Sequence, residues 1–281
     1  MNTKLKLSPK EKVLKGILYL FLILFALSML FPFYWMSISS FRSEAELWKI
    51  PFRLLPLHFT LESYTKIFDS IPFLRIYLNS ILFAGGVTLF SIFFDSMTAY
   101  ALAIIKVPGY KVLLLLFIAT IMVPFQVTMI PLYKILSSLK LLNTYAGLIM
   151  PRATSAFGIF LFYQFFRQLP TELIDAAEID GCSAFRAYRK IVMPLSLPPV
   201  ATFGIICFMA NWNDLLWPLI VSSDTNMYTL PVALALFRGQ HQIAYSISLA
   251  GATLSMIPII LVYIFAQQYF IKGIATTGLN G

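Results

Sequence analysis

The sequence predicts an all-α integral membrane protein with six transmembrane helices, and three observations predict it. Of 281 residues, 59% are apolar and only 12% are charged; a soluble domain carries about 25% charged residues. The charges are not scattered, but bound long uncharged runs. Those runs have the length of a helical membrane span, about 20 residues. So apolar a chain cannot be a disordered tail. In a soluble chain the net charge of +9 would suggest a nucleic-acid binder, but the same excess of Lys and Arg is expected of cytoplasmic membrane loops. The expected partner is therefore a lipid bilayer and not a nucleic acid.

The first span lies between Lys15 and Arg42, over positions 16 to 41. A Lys-rich start followed by apolar residues could be a signal peptide, but the run exceeds an h-region of 7–15 residues and no clear A-x-A site follows. The second, 76 to 105, is interrupted only by Asp95, and the third occupies 112 to 133. A fourth covers about 144 to 166 with Arg152 near its start, a fifth follows Pro194 to about Val221 with Asp214 inside, and a sixth reaches from about 243 to 267. An even number places both termini on one side. Lys4, Lys6, Lys10, Lys12 and Lys15 put that side in the cytoplasm by the positive-inside rule. The resulting split of Lys and Arg is 12 inside to 9 outside. Tyr34, Trp35, Trp212 and Trp217 fall toward outer span ends, where interfacial rings are favoured. This divides the chain into an N-terminal cytoplasmic segment (1–15), one transmembrane domain (16–271) with an inner loop at 170–194, and a cytoplasmic tail (272–281).

Enzymatic machinery is not legible. No G-x-x-x-x-G-K-[ST], H-E-x-x-H or G-x-S-x-G occurs, and the histidines are His58 and His241 alone. Cys182 and Cys207 offer neither a disulfide framework nor a C-x-x-C metal pair. The chain is thus expected to be no enzyme and to bind neither metal nor cofactor. Uphill transport would draw on an ion gradient or on another polypeptide. Asp95 and Asp214 are the acids within spans; each is either a proton or cation relay, or a hydrogen-bonding group at a helix end or between helices. The second reading is favoured, since a relay normally shows more intramembrane acids or histidines.

The informative segment is the inner loop from Pro170 to Pro194, which holds Glu172, Asp175, Glu178 and Asp180 together with Arg186, Arg189 and Lys190. Thr171 is a plausible N-cap, with acids in the following turns that suit the helix dipole. Gly181 is the natural stop. Ser183 can cap a second helix ending before Pro194, because Met193 precedes proline. Phe185, Tyr188, Arg189 and Val192 follow helical spacing and give that helix one apolar side. Leu173, Ala176 and Ala177 share a face of the first helix with little bulk. Either the pair rests on lipid headgroups, where its acids are a poor choice against anionic lipid, or it enters a protein socket.

Asp175-Ala176-Ala177, then Gly181, then Ile191-Val192-Met193-Pro194 resembles the E-A-A-x3-G-x9-I-x-L-P loop of the membrane subunits of binding-protein-dependent ATP-binding-cassette importers. Asp175 stands for the usual Glu and Met193 for Leu. The resemblance extends to the carbohydrate branch, the maltose-type permeases, through Asn79-Ser80, the segments 122–133, 142–151 and 211–220, and the glycine-rich tail 269–281. The compact six-span form resembles the smaller of the two unlike permeases in such an importer.

The resemblance implies a permease subunit of an ATP-driven sugar importer in a bacterial or archaeal plasma membrane. It would form half of the translocation path. Its implied partners are ATPase subunits, which use ATP and Mg, a second, non-identical permease, and an extracytoplasmic sugar-binding protein. Asp175, Ala176, Ala177, Gly181, Ile191 and Pro194 would form the loop that couples to the ATPase. Asn211, Trp212 and Asn213 offer amides for hydroxyls and an indole face for C–H bonds, and so are candidates for the sugar path; the alternative is an interfacial Trp with helix-packing amides. Other readings are an importer for a non-sugar solute, an ion-coupled secondary carrier using Asp95 or Asp214, and a membrane scaffold that transports nothing.

Overall fold

The computed structural model describes residues 9–170, 172–240 and 245–277. Among them the secondary structure is helical, without strands. The N-terminal positions 1–8, Thr171, positions 241–244 and the last residues, 278–281, lie outside the described residues, and with them the expected Thr171 cap and part of the tail. Two compact units are formed, one from 1–70 with 242–254 and one from 71–241 with 255–281.

The first unit contains α1 (Pro9–Ser39), α2 (Glu44–Leu47) and α3 (Glu62–Ser70). The uncharged run of α1 is helical throughout, despite Pro32. Glu44 ties α2 to the start of the last helix, accepting from the Ser246 backbone N–H at 2.9 Å and from Trp48 Nε1 at 2.9 Å. Burial works to raise its pKa, but the hydrogen bonds from Ser246 and Trp48 outweigh it and hold the carboxyl below its usual range.

The second unit is organised around α4 (Phe73–Tyr100). The chain then runs through α5 (Tyr110–Ile121), α6 (Phe125–Ser138), α7 (Tyr145–Ile149) and α8 (Ala156–Phe166). The inner loop supplies α9 (Glu172–Ile179), α10 (Ala184–Ala187) and α11 (Met193–Leu195). There follow α12 (Leu197–Trp212), α13 (Leu216–Val221), α14 (Leu230–Gln240) and α15 (Tyr245–Thr277), the last shared between the units. Three helices are long and apolar enough to cross a membrane, α1, α4 with its π-helical extension to Ile105, and α15. Three bent helix pairs, Tyr110–Ile121 with Phe125–Ser138, Tyr145–Arg152 with Ala156–Phe166, and Ala184–Leu195 with Leu197–Trp212, bring the number to as many as six if each pair is one span; the third pair starts within the inner loop and not after Pro194 as the fifth apolar run predicts.

The bends are the main departure from the sequence expectation. The third run is no straight helix: α5 and α6 meet at 97°, because Pro124 withholds a backbone N–H and displaces its predecessor from helical conformation. The fourth bends by 47° after the 3-10 turn Met150–Arg152, and α11 meets α12 at 80°. The helix expected to end before Pro194 continues through it. Met193 is helical (φ −65°, ψ −43°) because residues Tyr188–Val192 form a π-helix. The wider π turn gives the proline ring room that an α turn denies it.

The core lies where α4, α8 and α12 meet. Phe162, Phe166, Phe203, Tyr100 and Val192 are buried there, and Phe203 meets Phe162 edge-on at 5.4 Å between centroids. A second cluster holds Phe83, Met129, Leu148 and Trp217.

Candidate functional site

The inner loop builds itself from local rules. Gly181 takes φ +73°, and the Cys182 N–H reaches Ala177 O at 2.8 Å while the Gly181 N–H reaches Glu178 O at 3.0 Å. This is the paired closure of a helix C-terminus that a left-handed glycine permits. Ser183 Oγ then accepts from Arg186 N and caps α10. Tyr188 anchors the loop: its hydroxyl lies 2.7 Å from Ser96 Oγ of α4, and its ring lies 5.5 Å from Tyr100.

Anchoring decides which faces remain open. Ile174, Ala177, Ala187, Tyr188 and Val192 are buried, while Asp175, Ala176, Gly181 and Pro194 are exposed and Ile191 is half-buried. The two alanines therefore part company: Ala177 packs against this chain and Ala176 faces away. Phe185 likewise stands outside the buried side of its helix. Leu173, Ile179 and Phe185 remain exposed by 44%, 86% and 54%, three large apolar side chains on one helix-turn-helix.

Asp95, fully buried in α4, holds the start of α8. Its carboxylate accepts from Thr154 Oγ1 at 2.6 Å, from the Ser155 backbone N–H at 3.0 Å and from Ser155 Oγ at 3.1 Å. Ser155 in turn caps α8 through the Gly158 N–H. A negative group at a helix N-terminus is favoured by the dipole, and the hydrogen bonds offset the cost of burying it. A Cβ at Gly158 would overlap the Asp95 carboxylate and the Phe203 ring, so only glycine permits this approach.

Asp214 pairs with Arg152 at 3.2 Å and accepts from the Trp217 N–H at 3.3 Å. The Arg152 guanidinium lies 4.4 Å from the centre of the Phe125 ring and reaches Asn211 Oδ1 at 3.4 Å. Phe125, Arg152 and Asn211 line a cleft of about 320 Å³ with Phe157, Phe203 and Cys207. The three residues of the candidate sugar path are separated. Asn211 is at the cleft. Trp212 is buried, with its indole N–H on Ser255 O at 3.1 Å and its ring against Tyr77 and Phe208. Asn213 is exposed and donates back to Met209 O. Among the described residues no group of three or more His, Cys, Asp or Glu could hold a metal ion.

Residues 96–276 match the model of a family described as "Binding-protein-dependent transport system inner membrane component". The chain belongs to this family. Members are inner-membrane transport permeases that work with ATPase and binding-protein partners. Full-length relatives agree with that assignment. The chain is 34% identical to the arabinooligosaccharides transport system permease protein AraQ of Halalkalibacterium halodurans, over 99% of this chain and 100% of that protein. It is 32% identical to the sn-glycerol-3-phosphate transport system permease protein UgpE of Brucella abortus, over 92% and 95%. A chain from the crystal structure of a bacterial ABC transporter involved in import of the acidic polysaccharide alginate superposes with a TM-score of 0.80. It covers 95% of this chain and 100% of its own at 24% identity, and so shares the permease fold.

Within this permease, Asn79-Ser80 gains a physical meaning that the sequence alone withheld. Asn79 donates to Asn226 O at 2.8 Å and Tyr228 O at 3.0 Å and accepts from Tyr145 OH at 2.6 Å. Ser80 Oγ accepts from Leu230 N at 2.6 Å. Arg152, which the sequence motifs do not single out, sits at the cleft with Asp214 and Asn211. The sequence carries a signal for this pair: a guanidinium near the start of an apolar run needs a partner, and Asp214 is an acid within the next run.

Proposed function

We propose that this chain is the permease subunit of an ATP-driven sugar importer, forming half of the translocation path beside a second, non-identical permease. The observation that carries this is the inner loop. It is rigidly tied to α4 through Tyr188, yet leaves Leu173, Ile179 and Phe185 in the open. Burying such side chains against a partner is worth about 1.5–3 kcal/mol each. Asp175 and Ala176 sit on the open side, and the left-handed Gly181 sets the angle between the helices. The occupant of this surface is the ATPase, which holds ATP and Mg; Ile191 and Pro194 connect the docked helices to the fifth span through the π-helical segment. On this reading the loop and both termini are cytoplasmic. The sugar cargo follows from the motifs outside the loop and from the arabinooligosaccharide permease among the relatives.

The test is reconstitution of the co-purified complex in proteoliposomes. Uptake of an arabino-oligosaccharide that requires ATP and the binding protein is expected. Gly181→Asp should leave membrane insertion intact and abolish uptake, since a Cβ at φ +73° is strained although its surroundings are empty. Uptake driven by an ion gradient with no ATPase present would sink this reading. Asp95 and Asp214, the two acids available to such a carrier, are both engaged in helix-end hydrogen bonds or an ion pair.

A further inference from the structure

Three helix breaks of the second unit meet at one side chain. Arg152 ends the 3-10 turn that precedes α8. Its guanidinium covers Phe125, the first residue of α6 after the 97° bend. Its ion-pair partner Asp214 lies in the break between α12 and α13, and its hydrogen-bond partner Asn211 lies one turn before. In transporters, broken helices mark the places where substrates are held, because the interrupted backbone and nearby polar groups line a cavity instead of lipid. Here they line a cleft of about 320 Å³, which is within the size of small-molecule sites, about 300–1,000 Å³.

We propose that this cleft is a solute subsite of this chain, that it takes a neutral polyhydroxylated solute, and that Asp214 sets the preference by neutralising Arg152. The proposal rests on the importer reading and narrows its cargo. The ring of Phe157, 44% exposed, offers apolar surface for C–H groups. Arg152 has five N–H donors; Nε and Nη2 are used toward Asn211 and Asp214, while Nη1 has no hydrogen-bond partner among the described residues. Those donors suit hydroxyl oxygens. Arg152 is the one charged residue in the lining, and its charge is cancelled by Asp214 at 3.2 Å. Thr154 and Ser155 of the wall stand directly before the buried carboxylate of Asp95. An anionic solute would have to displace Asp214 from Arg152 while facing both carboxylates.

Cys207 lines the cleft and reports its occupancy. In the intact complex, its rate of modification by methyl methanethiosulfonate is followed by peptide mass spectrometry, with and without an ATP analogue. Arabinotriose and maltotriose are the neutral probes, trigalacturonate and glycerol 3-phosphate the anionic ones. A transported neutral sugar should slow the reaction about tenfold and the anions should not; Asp214→Asn should reverse that order, because specificity is a difference between the two affinities. Ala210→Trp, which fills the cleft while leaving Arg152 and Asp214 themselves unaltered, should abolish protection, and it keeps the test open should Asp214→Asn fail to assemble. Equal protection by anions in the unaltered protein overturns the neutral assignment. A Cys207 that no solute protects, or that never reacts, overturns the subsite, while ATP-dependent sugar uptake in the same vesicles keeps the importer reading standing. Loss of uptake for every solute strikes the importer reading itself.

Discussion

The helices α1 and α4 are both long and apolar enough to cross a membrane, yet they behave oppositely in the folded chain. None of the apolar window of α1 is buried within the structure, against 44% of that of α4. Hydrophobicity gives neither a reason to pack against protein, since lipid is as apolar as leucine and offers no gain for burying one. Polar and small residues do. Along α4, Asn79, Ser80, Thr88, Ser91, Asp95 and Ser96 are all buried, and each that reaches another element does so through a hydrogen bond. Over its long central stretch α1 presents Leu, Ile and Phe. In this permease the apolar residues place a helix in the membrane, and the polar ones choose its neighbours.

That contrast can be broken at its strongest point first. Gly158→Leu should remove about 3 kcal/mol or more of stability, because the new side chain would collide with Asp95 and Phe203; loss of the monodisperse complex in detergent is the expected readout. Asp95→Ala should cost about 2–4 kcal/mol, since it strips partners from Thr154 and Ser155 at the start of α8. Asp95→Asn keeps an accepting oxygen and should cost about half as much. Unfolding of the purified chain by denaturant in mixed micelles measures both. Asn79→Ala should lose about 1–2 kcal/mol by the same assay, as it deserts Tyr145 and the carbonyls of Asn226 and Tyr228. Leu24→Ala in α1, at a side chain 58% exposed, should change stability by less than about 0.5 kcal/mol. A Leu24→Ala cost equal to that of Asn79→Ala, in the isolated chain, would end the distinction.

Legibility in the sequence followed the range of the interactions. The six runs and their order could be read, because solvation of a helix in lipid depends on its own residues. So could the Gly181 turn and the Ser183 cap, which are set by neighbours within a few positions. The continuation of helix through Pro194 was not legible, because it follows a π segment, Tyr188–Val192, that the spacing of apolar residues does not announce. Nor was the parting of Ala176 from Ala177, since helical spacing places both near one face and only contact with the body selects which is covered.

Charge, hydropathy and capping act locally, so the amino-acid order alone is enough to make this chain a set of membrane helices with a helix-turn-helix loop. Long-range packing is what makes α4 the hub, sets Asp95 beneath the Ser155 cap of α8, and brings Arg152 and Phe125 to one cleft with Asp214 paired to Arg152. Asp95 and Thr154 lie 59 positions apart in the sequence, and the partner of a buried polar group is chosen by whichever helix comes close enough to satisfy it.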